Sequence, residues 1–371
     1  MLTVILKGTN GCNLDCAYCS LGKKPNHDVV SEDRMIEILD YIVRVCRHRN
    51  EHEFHMILHG GEPTLVPVPL YRKAFAWLNE THTDIRAHIL IQTNAYHITG
   101  ELMEFLREYG VRVGVSFDGS KKIHDAERKN RNAEATFETV KGNIERLSEN
   151  GIPVSCLMVL TSNGLKENYE YIRYFAEKKI HLKINPLLDY GEVYENPELS
   201  LKSGEYAEYL IGLYEYIVEH EIDVSVSPLT ELVQSSMEGK SLTECTYNPE
   251  CSRNFLCIDY RGDIYPCGRF SDISSFCLGN VCSAPAEFEE SGKIKRLLNR
   301  KNGAKPEPCR TCRYVLKCNC GCSAEAVIEG GILRAPKLCE DYKALFSYFE
   351  CDGLLFMREH LKKRKEEMLV V

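Results

Sequence analysis

The sequence predicts an α/β fold, a partial (β/α)6 TIM-like barrel followed by a cysteine-rich part, and three observations carry that prediction. Apolar runs of strand length alternate with stretches of helical period from residue 2 to residue 188. Those runs are continuously apolar, as in a parallel sheet covered by helices. Polar and glycine-containing segments cluster at their carboxyl ends, where the loops of a parallel βα sheet gather around a ligand.

In chain order, "LTVILKGT" (2–9) reads as the first strand and runs into "NGC". "SEDRMIEILDYIVRVC" (31–46) has apolar residues every three or four positions and reads as a helix. The second strand, "FHMILHGG" (54–61), leads into "HGGEP", and "PLYRKAFAWLNE" (69–80) follows as a helix. "AHILIQTN" (87–94), "VRVGVSFDG" (111–119), "PVSCLMVLTS" (153–162) and "HLKINPLL" (181–188) complete six strands. The helices between them are "ITGELMEFLREYG" (98–110), "TFETVKGNIERLSENG" (136–151) and "NYEYIRYFAEKK" (168–179), two of which stop at a Gly. A further helix is expected at about 203–220. Near residue 240 the alternation ends and cysteines crowd the stretch 245–339. The expected organisation is a barrel over 1–225, a cluster-bearing domain over 226–340 and a terminal helix over 341–371.

A chain of 371 residues, 44% hydrophobic and 27% charged, is large enough to bury a substantial core. Its net charge of -8 argues against a nucleic-acid partner held on a basic face, and the end "LKKRKEEM" reads as a solvated helix. "MLTVILKGTN" is too short and too polar at its end for a signal peptide. No apolar run approaches the roughly 18 residues of a membrane span. The expected location is therefore cytoplasmic, without a membrane partner. In that reducing compartment the 18 cysteines are better read as metal or cluster ligands than as disulfides.

Cys12, Cys16 and Cys19 form C-x3-C-x2-C just past the first strand. Three thiolates on one loop can hold three irons of a cubane, and the missing fourth leaves one iron open to a ligand. The bland alternative is a zinc loop completed by a distant His or Cys.

"CNLDCAYC" resembles the signature of the radical S-adenosylmethionine (SAM) superfamily, and "GGEP" (60–63) is similar to its second hallmark. The resemblance implies a [4Fe-4S] cluster on the three thiols, SAM on the open iron, and reductive cleavage to a 5′-deoxyadenosyl radical. It implies a SAM site built from Gly60, Gly61 and Glu62, with Gly61 on the methionine amino group. Tyr18 and Leu187 would lie against the adenine, and Ser116 and Arg128 against the ribose and carboxylate. Asn94 and Asp118 join them by position only.

In the second half, Cys309, Cys312, Cys318 and Cys322 read C-x2-C-x5-C-x3-C, Cys339 follows, and Cys245, Cys251 and Cys267 precede. This resembles the SPASM extension of radical SAM enzymes, which carries two auxiliary [4Fe-4S] clusters. The resemblance assigns Cys245, Cys251, Cys267 and Cys322 to one cluster and Cys309, Cys312, Cys318 and Cys339 to the other. Two zinc ribbons are the structural alternative. Cys46, Cys156, Cys257, Cys277, Cys282, Cys320 and Cys351 are left as small buried hydrophobes. Of these, Cys257 and Cys320 are the two able to displace an assigned ligand.

The layout is similar to anaerobic sulfatase-maturing enzymes, with "SFDGSKKIHDAERK" and "CEDYKALFSYF" as further likenesses. Those enzymes carry a proton-accepting Asp directly after the "YPC" cysteine, where this chain has Gly268. A Tyr two residues after their third cluster cysteine becomes Leu21, and a Gln before "GGEP" becomes His59. Asp189 or Asp259 could substitute as the base, and His59 and Arg269 flank the inferred site. The expected function is a maturase that forms a thioether or carbon-carbon crosslink in a ribosomally made peptide. The alternatives are formylglycine formation on a sulfatase and, from another class, a non-catalytic iron-sulfur electron carrier or redox sensor. Expected partners are the peptide substrate, an electron donor such as flavodoxin or ferredoxin, and a separate leader-binding protein, since the chain begins directly at the first strand.

Overall fold

The structure, a computed structural model, describes residues 1–22, 27–242, 244–271 and 273–368, without the side chains of 286, 361 and 363–368. Its strands are β1 (Leu2–Lys7), β2 (Leu14–Cys16), β3 (Glu53–His59), β4 (Arg86–Thr93), β5 (Arg112–Ser116), β6 (Arg128–Asn130), β7 (Val154–Leu160) and β8 (His181–Pro186). They continue as β9 (Val226–Ser227), β10 (Phe255–Asp259), β11 (Asp263–Tyr265) and β12 (Gly279–Asn280). The helices of the first half are α1 (Glu32–His48), α2 (Val68–Thr81), α3 (Gly100–Glu108), α4 (Lys121–Glu127), α5 (Phe137–Glu149), α6 (Ile172–Lys178) and α7 (Glu205–Glu219).

The six strands expected from the sequence are β1, β3, β4, β5, β7 and β8, neighbours in that order and all parallel. Each stops one to three residues short of its apolar run, because loop geometry takes over at the site. Gly60, for example, leaves the strand with φ +138°. The expected helix at 168–179 breaks into a 3-10 turn (Tyr169–Tyr171) and α6, with the Asn168 side chain accepting from Glu170 N. Helices α1 and α3 start on Ser31 and Thr99, whose hydroxyls accept from Arg34 N and Leu102 N.

Two features of the sheet have no sequence precursor in the βα pattern. β10, from the cysteine-rich half, runs parallel to β1 with Ile5 beside Cys257 and Lys7 beside Asp259. β11 and β12 add to it antiparallel, and β9 closes the opposite edge, so the sheet has ten strands. The last helix, Cys339–Met368, packs on α7, and Tyr214 Oη donates to Gly353 O at 2.9 Å. One apolar core runs from Leu2 on β1 to Phe349 on that helix. The lysine-rich end lies on the same helix, but the side chains of 361 and 363–368 and residues 369–371 are outside the described residues. Among the described residues no helix is long and apolar enough to cross a membrane.

Candidate active site

The three thiols sit on the loop after β1. Leu14 N donates to Cys12 Sγ at 3.4 Å and Cys19 N to Cys16 O at 3.2 Å, which curls the loop around a cavity of about 270 Å³ lined by all three cysteines. Burial pushes the Cys12 thiol up to about 11 and the Cys16 thiol up to about 12, so the apoprotein keeps them protonated. Taking up a metal cluster must therefore release protons.

The glycines of "GGEP" clamp this loop. Gly61 N donates to Thr9 O at 2.9 Å and Glu62 N to Gly11 O at 2.8 Å. A Cβ on Gly61 would lie 2.0 Å from Gly11 O, a backbone atom with nowhere to go. Gly61→Ala is expected to cost about 2–4 kcal/mol, read as a lower denaturant midpoint, and to weaken SAM binding with it. Glu62 is almost wholly buried and spends its carboxylate on Thr93 Oγ1 (2.5 Å), Asn94 N (2.8 Å) and Thr64 N (3.1 Å). It fixes the end of β4 to the loop. Asn94 then reaches the cluster loop, with Nδ2 2.7 Å from Asn13 Oδ1 and 3.7 Å from Cys12 Sγ.

β2 pairs antiparallel with β6, and the register sets Cys16 opposite Arg128. Arg128 Nε donates to Asp118 Oδ2 at 2.6 Å, its guanidinium lies 5.2 Å from the centre of the Tyr18 ring, and Tyr18 Oη also donates to Asp118. The other Asp118 oxygen accepts from Val159 N at 3.0 Å. Tyr18 and Leu187 share a small apolar cluster with Val193 and Leu199, a shelf of the kind a flat base needs. Ser116, at the end of β5, accepts from Gln92 Nε2 at 3.1 Å.

His124 escaped the sequence reading. It is fully buried between Phe117 and Phe137, its Nδ1 accepts from Asp118 N at 3.2 Å, and its Nε2 meets Thr136 Oγ1 at 3.2 Å. A lone His in a two-turn helix too short to show a period carries no pattern, so nothing in the sequence marks it. Burial lowers it to about 4, so it is neutral and holds the Asp118 backbone in place. With the folded value below the unfolded one, the stabilisation is complete above about 6.5 and is lost as pH falls toward 4. The advantage of wild type over His124→Asn should therefore shrink by about 3 kcal/mol across that window, measured by urea unfolding.

The candidate bases are all engaged. Asp189 accepts from Ser200 Oγ at 2.7 Å and pairs with Lys337. Asp259 is tied into the β10–β11 turn by Arg261 N, Nε and Nη2 at 2.9, 3.1 and 2.8 Å. His59 ends β3, its Nδ1 accepting from Gly60 N at 2.8 Å. Arg269 lies elsewhere, beside the cysteine-rich half, with Nη1 3.2 Å from Cys322 Sγ.

The eight remaining assigned thiols fall into two groups. Cys309, Cys312, Cys318 and Cys339 line one cavity together with Cys320, Tyr314 and Phe346. Cys245, Cys251, Cys267 and Cys322 act electrostatically on one another in the other group. Asn319, Cys320 and Gly321 have φ of +49°, +63° and +65°, and this left-handed turn sends Cys318 and Cys322 to different groups. Of the two extra thiols, Cys320 shares a hydrogen bond with Cys309, and Cys257 packs with Cys267 and Cys322. The expectation of buried surplus cysteines holds for Cys46 and Cys156 and fails for Cys282 and Cys351, which are exposed. Cys282 sits in a turn and Cys351 on the outer face of the last helix, where no apolar neighbour covers them.

A single zinc ion would draw thiolates to roughly 3.8 Å of one another. Among the described residues no three Cys, His, Asp or Glu side chains are gathered to hold one ion. Cys12, Cys16 and Cys19 line one cavity and Cys309, Cys312, Cys318 and Cys339 another, and an all-thiol donor set in this spread fits polynuclear iron-sulfur clusters.

A three-thiol loop at the carboxyl end of a parallel sheet, clamped by a double glycine, falls within the stretch, residues 6–178, that matches the Radical SAM superfamily. Over 360 residues it is 29% identical to a cysteine-type anaerobic sulfatase-maturating enzyme of Clostridium perfringens, covering 94% of this chain and 96% of that one. It is 23% identical over 385 residues to a serine-type enzyme of Bacteroides thetaiotaomicron, covering 95% and 90%. In fold it is similar to native anSMEcpe with bound AdoMet and Cp18Cys peptide, with a TM-score of 0.82, 24% identity and 96% and 99% coverage. It is also similar to SuiB of Streptococcus suis bound to the precursor peptide SuiA, with a TM-score of 0.64, 17% identity and 90% and 74% coverage.

Proposed function

We propose that this enzyme abstracts hydrogen from a peptide and forms a thioether or carbon-carbon crosslink within it. Cys12, Cys16 and Cys19 would hold the SAM-binding cluster, and the two groups of four thiols the auxiliary clusters. When bound, the first cluster and SAM supply an electron and a 5′-deoxyadenosyl radical. The chain's own part is positional. Tyr18 and Leu187 offer an apolar shelf, Arg128 is steered by Asp118, and the Gly60–Gly61 backbone comes close enough to bind the methionine end.

One observation carries the choice of product. Position 268, where sulfatase-maturing enzymes have their proton-accepting Asp, is a Gly whose Cβ would meet Ile5 Cδ1 at 3.3 Å, so β1 crowds the place of a side chain. Asp189 and Asp259 are both committed to cations. Formylglycine formation must release a thiol or hydroxyl proton and lacks its acceptor at this position; a carbon-carbon crosslink breaks no S–H or O–H bond, and a thioether would pass its thiol proton to another group. The second reading, formylglycine formation on a Cys or Ser of a sulfatase, is supported by the full-length likeness to the Clostridium enzyme.

A reductant such as flavodoxin or ferredoxin, a leader-binding protein and a cytoplasmic setting complete the proposal. Co-expression with peptides encoded beside the gene, read by mass spectrometry, tests it. A crosslink removes two hydrogens and resists aldehyde-reactive hydrazide. A hydrazide adduct on a sulfatase peptide would establish the second reading instead, and SAM cleavage with no change in any peptide would defeat both.

A further inference from the structure

Between the barrel and the cysteine-rich half lies a second cavity, distinct in its lining from that of the three thiols. Its walls include Lys183 and Asn185 on β8, Glu244 and Thr246 beside the first auxiliary thiols, Arg269 just past Cys267, and Tyr342 on the last helix. Asn185 and Pro186 lead directly to Leu187 of the apolar shelf. Tyr190 acts on the charge of Arg269, and Glu192 two residues on lines the first-cluster cavity, so one short loop borders both spaces. A peptide reacting near the SAM site would have its neighbouring residues within reach of this chamber.

The charges in the chamber are unevenly matched. Lys183 Nζ is 2.6 Å from Glu244 Oε2, which neutralises both. Glu325, a carboxylate that acts on Arg269, is occupied by Leu338 N at 2.9 Å and Tyr342 Oη at 3.0 Å. Arg269 is partly buried, and the one hydrogen bond of its guanidinium among the described residues runs from Nη1 to Cys322 Sγ at 3.2 Å. The guanidinium is a planar fork of five N–H donors, and a thiol occupies one edge only. The remaining edge fits a carboxylate in bidentate fashion, and a partly dry wall strengthens such a pair.

We propose that Arg269 docks a carboxylate of the peptide substrate, either an Asp or Glu side chain near the modified residue or the chain's own C-terminus. This rests on the reading that the substrate is a peptide, not on which product forms. The enzyme is thereby specific for acidic peptides although its own net charge is -8.

The test uses anaerobically reconstituted holoenzyme with SAM and pentapeptides centred on Cys that carry an uncharged boron-dipyrromethene dye. The neutral parent is Ala-Ala-Cys-Ala-Ala amide; one arm carries a single Glu at each other position, the other a free C-terminal carboxylate. Anisotropy titrations should give at least about tenfold tighter binding in the arm that matches the source. Arg269→Gln should erase that preference and Arg269→Lys should keep part of it, because a point charge replaces the fork. Iron content and absorbance near 400 nm identify any variant that has lost its auxiliary cluster, and wild type alone still decides the first step. Equal affinity of wild type for neutral and acidic peptides, or a preference that survives Arg269→Gln in cluster-replete protein, overturns the proposal. Failure of the crosslinking assay leaves this binding readout intact, so the two outcomes are separable.

Discussion

Replacing Cys12, Cys16 and Cys19 together by Ala is expected to abolish 5′-deoxyadenosine formation while the protein keeps about two thirds of its iron. The three thiols belong to one loop that packs on the barrel mainly through its backbone, with Gly61 N on Thr9 O and Glu62 N on Gly11 O, so the fold survives their loss. The other eight assigned thiols lie in separate groups and would hold their clusters independently of this loop. Turnover should fall by more than about 1000-fold, since no other route delivers an electron to the sulfonium. Iron and sulfide assays, with product chromatography after dithionite reduction, make the measurement. Residual SAM cleavage, or an iron content that stays at the wild-type level, would remove these cysteines from the catalytic cluster.

Asp118→Ala should be nearly as damaging by a different route. Asp118 is completely buried and pairs with Arg128, whose side chain is 8% exposed, so the truncation strands a guanidinium away from water. Removing one partner of such a pair costs about 3–5 kcal/mol, because the remaining charge loses both solvent and counter-charge. It also frees Tyr18 and Val159 N, and SAM affinity should fall at least tenfold. The double replacement Asp118→Leu with Arg128→Met removes both charges and should unfold later than Asp118→Ala alone. Urea titrations of the three proteins decide it; a double variant less stable than the single one would mean that the pair contributes more than it costs to bury.

The parts of the site legible in the sequence are those built by residues close together in the chain. Three thiols within eight positions imply one loop and one metal centre, and a double glycine beside a strand implies a close backbone approach. The 2.0 Å separation at Gly61 gives that approach its magnitude. The six parallel strands were legible for the same reason, since each apolar run is a local signal and parallel order follows from the alternating helices.

Other features depend on contacts between residues far apart in sequence. β2 and β6 have three residues each, too few to show a period, yet their pairing is what brings Arg128 to Cys16 across 112 positions. His124 and Asp118 support each other through a backbone bond that no residue type announces. Asp259 has the composition of a catalytic acid, and only the fold commits it to Arg261.

By itself, then, the sequence determined the six parallel strands, the grouping of three thiols on one loop and the glycine clamp, all of which follow from local spacing and side-chain type. Only the tertiary structure decided that β10 would join β1, that β2 and β6 would set Arg128 opposite Cys16, and that Lys183, Glu244 and Arg269 would share one chamber. Those arrangements depend on which distant surfaces exclude water together, and burial of that kind is a property of the whole folded chain.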